Sequence, residues 1–386
     1  MSNIRTFSFD KTKLESVKEY EFGKNWPVVY LLENGKELYV GETISAISRL
    51  KQHHDNPERR KLNKVHIITD EEFNKSAALD IESWLIQYMS ADGIFKLQNG
   101  NSGLQNHNYF DRERYEAKFD VVWDKLKKSL LVKQDLVQIK NSDLFKYSPY
   151  KTLTEDQLDI VERLFKTIKN KEKSTFLING KPGTGKTILA VFLVKYLKEQ
   201  KETKDLKVGL VLPMTPIRNT VKKVFKNIKD LRANMVISPS EVVNGDYDIL
   251  IVDEAHRLRR RKNIMNYGSF DKANEMLGFN KDGNELDWIM KCSDHQIFLY
   301  DENQSVRPSD VRPSDFKDIK ANRFDLMSQQ RVEGGDEYIK FVEDIFDLRE
   351  TSIENFSNYE FAIYDDIEQM VKHIKQKNKE HDLCRL

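Results

Sequence analysis

The sequence has only two cysteines in 386 residues, Cys292 and Cys384. Two are too few for a disulfide framework or a four-ligand zinc site, and so thiol-poor a chain fits a reducing, cytoplasmic setting. Long apolar runs are missing too. Nothing approaches the roughly 20 residues of a membrane-spanning helix, and the opening MSNIRTFSFDK has no apolar core of the signal-peptide type. No membrane partner is expected. Nor does charge of one sign dominate: Lys and Arg number 63, Asp and Glu 62. Bulk charge therefore argues for no polyanionic partner, and local patches must carry any such contact. The chain is 39% hydrophobic and 32% charged, the composition of a globular protein with a highly charged surface. Its length allows two or three domains.

The densest signal is Gly180-Lys181-Pro182-Gly183-Thr184-Gly185-Lys186-Thr187. It fits the phosphate-cradling pattern G-x-x-x-x-G-K-S/T at every required position. The run 174–179 predicts a strand before it, and 188–197 an apolar helix after it. That context matters because backbone N–H groups and a helix N-terminus together bind phosphate. Gly180, Pro182, Gly183, Thr184 and Gly185 shape the loop. Lys186 supplies a charge to the β- and γ-phosphates, and Thr187 a hydroxyl to Mg²⁺. A nucleoside triphosphate, ATP, is the expected cofactor.

From residue 153 onward, strands alternate with helices. The runs 175–179, 208–212, 249–253 and 296–300 are near-continuously apolar, as in a parallel sheet covered on both faces. The third ends in Asp253-Glu254-Ala255-His256, an acidic pair at a buried strand tip, where open α/β sheets bind ligands. Asp253 is expected to hold Mg²⁺ directly or through water, and Glu254 to activate the attacking water. After the last strand, Gln304 can sense the γ-phosphate or its water. Arg331 is a candidate arginine finger. Val306-Arg-Pro-Ser-Asp310 repeats at once as Val311-Arg-Pro-Ser-Asp315, a local loop duplication.

From residue 153 to about 350 these motifs together resemble the first motor lobe of superfamily 1 helicases, and most closely the Schlafen group 3-like DNA/RNA helicase domains. The resemblance implies a RecA-like fold. It also implies that Gln157, in Thr154-Glu-Asp-Gln157, reads the adenine edge, and that Pro213-Met-Thr-Pro216 contacts a single strand's backbone. Helicases of this class clamp ATP between two lobes. After Arg331 only about 55 residues remain, far fewer than the roughly 100–150 of an ordinary domain. The sequence thus predicts truncation before a second lobe, so that either a protein partner or the missing second motor lobe is expected as a further partner. The tail predicts a helix at 337–348, a strand at 360–364 and a helix at 367–375.

Residues 1–131 read differently. The runs 28–32 and 37–41 flank Asn34-Gly35, a strong hairpin signal. Helices are predicted at 45–54, 76–90 and 115–131, and a third strand at 65–69, giving a small α/β unit on a mainly antiparallel sheet. Residues 132–152, polar and Lys-rich, read as a linker. Trp123 and Trp288 fall in helical patterns as core residues. The run Arg257-Leu-Arg-Arg-Arg-Lys262 suits either nucleic-acid phosphate or a solvated face, as does Arg59-Arg60-Lys61.

Val28-Val29-Tyr30 and Tyr39-Val40-Gly41 resemble the paired triplets of GIY-YIG nucleases, over residues 26–105. The first triplet departs from the pattern, with two valines before the tyrosine. The resemblance implies divalent-metal-dependent phosphodiester cleavage. Glu82 would be the ligand for Mg²⁺, or for Mn²⁺ in its place, and Arg49 would hold the phosphate. Tyr30, Tyr39 or His53 would move protons, and Asn99 lies near the family's late asparagine. Arg49 and His53 are spaced i, i+4 on one helix face. The combined expectation is an α/β protein with a GIY-YIG-like unit (1–131), a linker (132–152) and a RecA-like ATPase lobe (153–386). ATP would control strand cleavage of nucleic acid, DNA before RNA, in bacterial defence or DNA processing. The alternative is a nucleotide-switched regulator that binds nucleic acid or protein and carries a degenerate nuclease.

Overall fold

A computed structural model of the chain describes residues 2–10, 12, 14–100, 112–170, 172–305, 307–327, 335–351, 356 and 361–381. The first unit comprises β1 (Asn3–Ser8), α1 (Glu15–Lys18), β2 (Val28–Glu33), β3 (Glu37–Thr43), α2 (Ala46–Asp55), β4 (Lys64–Thr69), α3 (Lys75–Asp92), β5 (Lys96–Leu97) and α4 (Arg112–Lys128). Its sheet has the order β1-β4-β2-β3-β5. All pairings are antiparallel except β3 with β5. Every residue of β2 is buried, because helices and loops cover both faces of this central strand. In α3, the Asn74 side chain accepts from Ala77 N at 2.8 Å at the start, and Gly93 ends the helix at φ 74°.

The expected linker is a structured connector instead. It holds α5 (Leu136–Lys140) and α6 (Asp143–Lys146). Sparse apolar residues anchor it: Val132, Leu136, Ile139 and Tyr150 are all buried. Polar composition hid this, since a few side chains suffice to fasten a short segment.

The second unit follows as α7 (Glu155–Lys169), β6 (Ser174–Gly180), α8 (Lys186–Glu199), β7 (Val208–Val211), α9 (Thr215–Lys226), β8 (Val236–Ile237), β9 (Tyr247–Val252), α10 (Tyr267–Met276), α11 (Glu285–Lys291), β10 (Ser293–Tyr300), α12 (Pro313–Lys317), β11 (Asn322–Leu326), α13 (Gly335–Phe346) and α14 (Ile367–His381). Its sheet is parallel throughout, in the order β11-β6-β10-β9-β7-β8. The α/β class, with one mainly antiparallel and one parallel sheet, is as the sequence predicts. Residues 361–364 form no strand, and Glu360 lies outside the described residues. In both duplicated pentapeptides the aspartate accepts from the arginine N–H three residues back, at 3.0 Å (Asp310) and 3.2 Å (Asp315).

One apolar core joins the units. It runs from Val29 and Leu31 of β2, through Trp123 of α4 and Ile139 of the connector, to Leu193 of α8 and Ile251 of β9. Trp123 and Trp288 are each 1% exposed, as core residues should be. Among the described residues no helix is long and apolar enough to cross a membrane.

Candidate nucleotide site and N-terminal cluster

β6 delivers the chain to the phosphate loop, and α8 leaves it at Lys186. Gly183 and Gly185 take φ values of 88° and 78°, a region that costs other residues strain. At Gly180 the constraint is space: a Cβ would lie 2.6 Å from Thr184 Oγ1. That hydroxyl donates to Lys181 O at 2.9 Å and braces the curl. The Lys186 ammonium is buried, donates to the carbonyls of Gly180 and Lys181, and lies 3.6 Å from Asp301 Oδ2.

Thr187 Oγ1 donates to Asp253 Oδ2 at 2.7 Å. Asp253 sits just past the tip of β9, fully buried, and its Oδ1 has no hydrogen-bond partner. Burial, and then the charge of Glu254, pushes this carboxyl up to about 6, against the pull of Thr187. A buried orphan oxygen beside a threonine hydroxyl is a donor set that suits Mg²⁺.

Glu254 adopts the left-handed backbone at φ 53°, a conformation that a non-glycine residue holds only when its surroundings enforce it. Its Oε2 lies 3.0 Å from Arg257 Nε and 3.1 Å from His256 Nε2. Burial pushes the Glu254 carboxyl up, but His256 and Arg257 outweigh it and hold the group down at about 2. Gln304 Nε2 donates to Asp301 Oδ2 at 2.7 Å. Lys186, Thr187, Glu254 and Gln304 line one cavity of about 860 Å³, within the usual size range of ligand pockets.

Gln157 differs from its expected place. It is fully buried, its Oε1 accepts from Thr154 N at 3.1 Å, and its Nε2 donates to Thr184 O at 3.0 Å. Closing the capping box of α7 points the side chain at the underside of the loop. It therefore braces the loop rather than presenting a free amide to a base. Arg331 lies outside the described residues.

A second cavity, of about 410 Å³, has Arg218, Arg257, Arg259 and Arg307 in its lining beside the acidic Glu285 and Asp310. The basic run beside it is no simple solvated face. Arg257 pairs with Glu254, Arg259 with the buried Glu285, and Arg261 with Asp271.

Residues 173–386 match the family model described as Schlafen group 3, DNA/RNA helicase domain. The chain belongs to this family. Solved structures similar to it include two coordinating Pif1 helicases at forked double-stranded DNA (14% identity, TM-score 0.30, covering 52% of this chain and 50% of that one). Others are unliganded Pif1 from Bacteroides sp (12%, 0.29, 52% and 47%) and a DNA replication initiation factor (16%, 0.29, 61% and 66%). The chain thus spans about half the length of the Pif1 structures. No curated protein matches it.

The Schlafen group 3 match leaves residues 1–172 outside. There, Tyr30 of β2 pairs with Gly41 of β3, and Leu32 pairs with Tyr39. The two tyrosines are therefore diagonal neighbours, with ring centroids 6.3 Å apart. A Cβ at Gly41 would collide with the Tyr30 hydroxyl, which gives that glycine its physical reason. His53, from α2, brings Nε2 to 2.6 Å from Tyr30 Oη and its ring to 4.9 Å from that of Tyr39. Burial, then the charges of Arg49 and Arg59, pushes His53 down to about 4, so the ring is neutral near pH 7. Burial and Tyr39 push the Tyr30 hydroxyl up, against the pull of Arg49.

Glu82 of α3 is half-buried. Burial, then the charge of Glu42, pushes its carboxyl up to about 7. Glu42 itself is paired with Lys75. Among the described residues no group of three or more His, Cys, Asp or Glu is arranged to hold a metal ion, and the carboxylate whose charge acts on Glu82 is Glu42. Asn99 serves the sheet instead. Its side chain bonds both the N–H and the C=O of Val40, at 2.9 and 2.8 Å, extending the edge of β3.

Sequence reasoning missed two members of these sites, Glu42 and Asp301. Glu42 directly follows the second triplet, and that adjacency was its only signal. Arg59, from the basic run that the sequence offers as a phosphate contact, stacks its guanidinium 3.8 Å over the Tyr39 ring. Asp301 gathers Lys186 and Gln304.

Proposed function

We propose that the protein is an ATP-hydrolysing, nucleic-acid-acting enzyme whose N-terminal GIY-YIG-type unit cleaves phosphodiester bonds under control of the helicase-type lobe. The observation that carries the ATPase half is Asp253. One oxygen is bonded to Thr187 of the phosphate loop, and the other is buried without a partner. Mg²⁺, when bound, neutralises phosphate charge there. Lys186 leaves the loop carbonyls for the phosphates, Glu254 orients the attacking water, and Gln304 reports the state of the γ-phosphate. Arg257 bonds Glu254 and also lines the arginine-rich cavity. That cavity suits nucleic-acid phosphates, so strand contact and water activation share one side chain.

In the N-terminal unit, Arg49 would hold the scissile phosphate and Glu82 a divalent ion. Neutral His53 would take a proton from a substrate-side water or from Tyr30. The reading is supported by Tyr30, Tyr39, His53 and Arg49 gathering on one side of the sheet. A regulator that binds without cutting is the second reading. It is favoured by Tyr30, which is fully buried in a strand that begins Val28-Val29.

The deciding assay incubates the protein with labelled single- and double-stranded DNA and RNA, with Mg²⁺ or Mn²⁺, with and without ATP. Metal-dependent cleavage that responds to ATP is the expected result. ATP-dependent binding without cleavage would move the assignment to the regulator.

A further inference from the structure

The nucleotide cavity has two walls. One is the phosphate loop. The other comes from the connector and the first unit, through Lys146, Tyr147, Lys151 and Thr152, with Gln87 of α3. This wall is firmly held. The Ser142 hydroxyl accepts from Phe145 N at 3.1 Å, and Phe145 stacks on Tyr88 of α3 at 4.8 Å and 16°. Ser148 bonds Ser90 at 3.2 Å, and the buried Tyr150 donates to Asn99 O at 3.2 Å. Gln87 Nε2 reaches Thr152 Oγ1 at 3.4 Å.

The charge on that wall is one-sided. Among the described residues, neither Lys146 nor Lys151 forms an ion pair with a carboxylate. Lys151 is half-buried, with its ammonium 4.6 Å from the Phe145 ring. Burial, and then the charge of Lys146, pushes its pKa down, which an anion between the two lysines would reverse. Lys186 lines the same cavity. Three lysines against the one carboxylate of Glu254 in this lining suit a polyanion.

We propose that the connector forms part of the nucleotide site, with Lys146 and Lys151 binding triphosphate oxygens together with Lys186. The proposal rests on the reading that the phosphate loop takes a nucleoside triphosphate. It adds a route of control, since α3 carries both Gln87 at this wall and Glu82 in the N-terminal cluster. Nucleotide contacts on Lys146 and Lys151 would thus load a connector already bonded to the helix that bears Glu82.

The test is hydrogen exchange of the full chain, free, with Mg²⁺·ATP and with Mg²⁺·tripolyphosphate. It is joined to tripolyphosphate affinity in Lys146→Met/Lys151→Met and Lys146→Arg/Lys151→Arg. Expected is slowed exchange at both 180–187 and 143–152 with either ligand. The methionine variant should lose affinity about tenfold or more, and the arginine variant should stay within about threefold of the wild type. Protection confined to 180–187, or unchanged affinity in the methionine variant, overturns the proposal and leaves the phosphate-loop reading standing. No protection at 180–187 defeats that earlier reading, and this one with it. Should the methionine variant fail to fold, the exchange pattern of the wild type still decides.

Discussion

Replacing Lys186 by alanine is expected to cut ATP hydrolysis by about two to three orders of magnitude, the usual cost of removing one preorganised donor from developing negative charge. The ammonium is already buried and oriented, held by the carbonyls of Gly180 and Lys181 and flanked by Asp301. Turning to a phosphate exchanges one set of acceptors for a charged one and needs no new burial. Alanine leaves two loop carbonyls without a donor, but loop shape rests on Gly183, Gly185 and the Thr184 hydroxyl, which remain. The N-terminal sheet should stay folded. Phosphate release at saturating ATP, with circular dichroism as the fold control, checks this. Equal turnover in mutant and wild type would remove Lys186 from the site.

The second large effect is expected at Glu82. Glu82→Gln keeps the side chain's shape and deletes its charge. Metal-dependent cleavage should fall by about a hundredfold or more if this carboxylate holds the ion that neutralises the phosphate. Stability should move the other way or not at all. Burial and Glu42 hold the carboxyl up at about 7, so ionising it near neutral pH works against the fold, and the neutral amide relieves that cost. Loss of cleavage with an unchanged or raised unfolding midpoint is the predicted pair. Unchanged cleavage would direct the search to another ligand, with Glu42 the nearest carboxylate. Lost cleavage with a lowered midpoint would mean that Glu82 serves the fold.

The phosphate loop was legible because its chemistry is local. Glycines at 180, 183 and 185, then Lys-Thr, must be consecutive to wrap phosphate at a helix start, and flanking apolar runs supply the strand and helix. The hairpin from Val28 to Thr43 was legible for the same reason, since Asn34-Gly35 fixes a tight turn. Contacts between distant segments were not. Gln157 reads as a base contact by position, yet its amide reaches Thr184, 27 residues away. Nothing in the polar stretch 132–152 reveals that Tyr150 would bond Asn99 or that Lys151 and Lys186 would line one cavity. β1, β5, β8 and β11 were also missed. β5 and β8 have two residues each, too few to show a period, and β11, NRFDL, is mostly polar because it lies at the sheet edge.

The central claim is that Thr187 and Asp253 share one magnesium on a triphosphate in the loop. A crystal structure with Mg²⁺ and a non-hydrolysable ATP analogue tests it most directly. The account predicts the metal at about 2.0–2.1 Å from Thr187 Oγ1, with the Asp253 carboxylate on that ion or on its water and Lys186 on the phosphates. An analogue bound away from the loop, or a metal with neither Thr187 nor Asp253 in its surroundings, would contradict it.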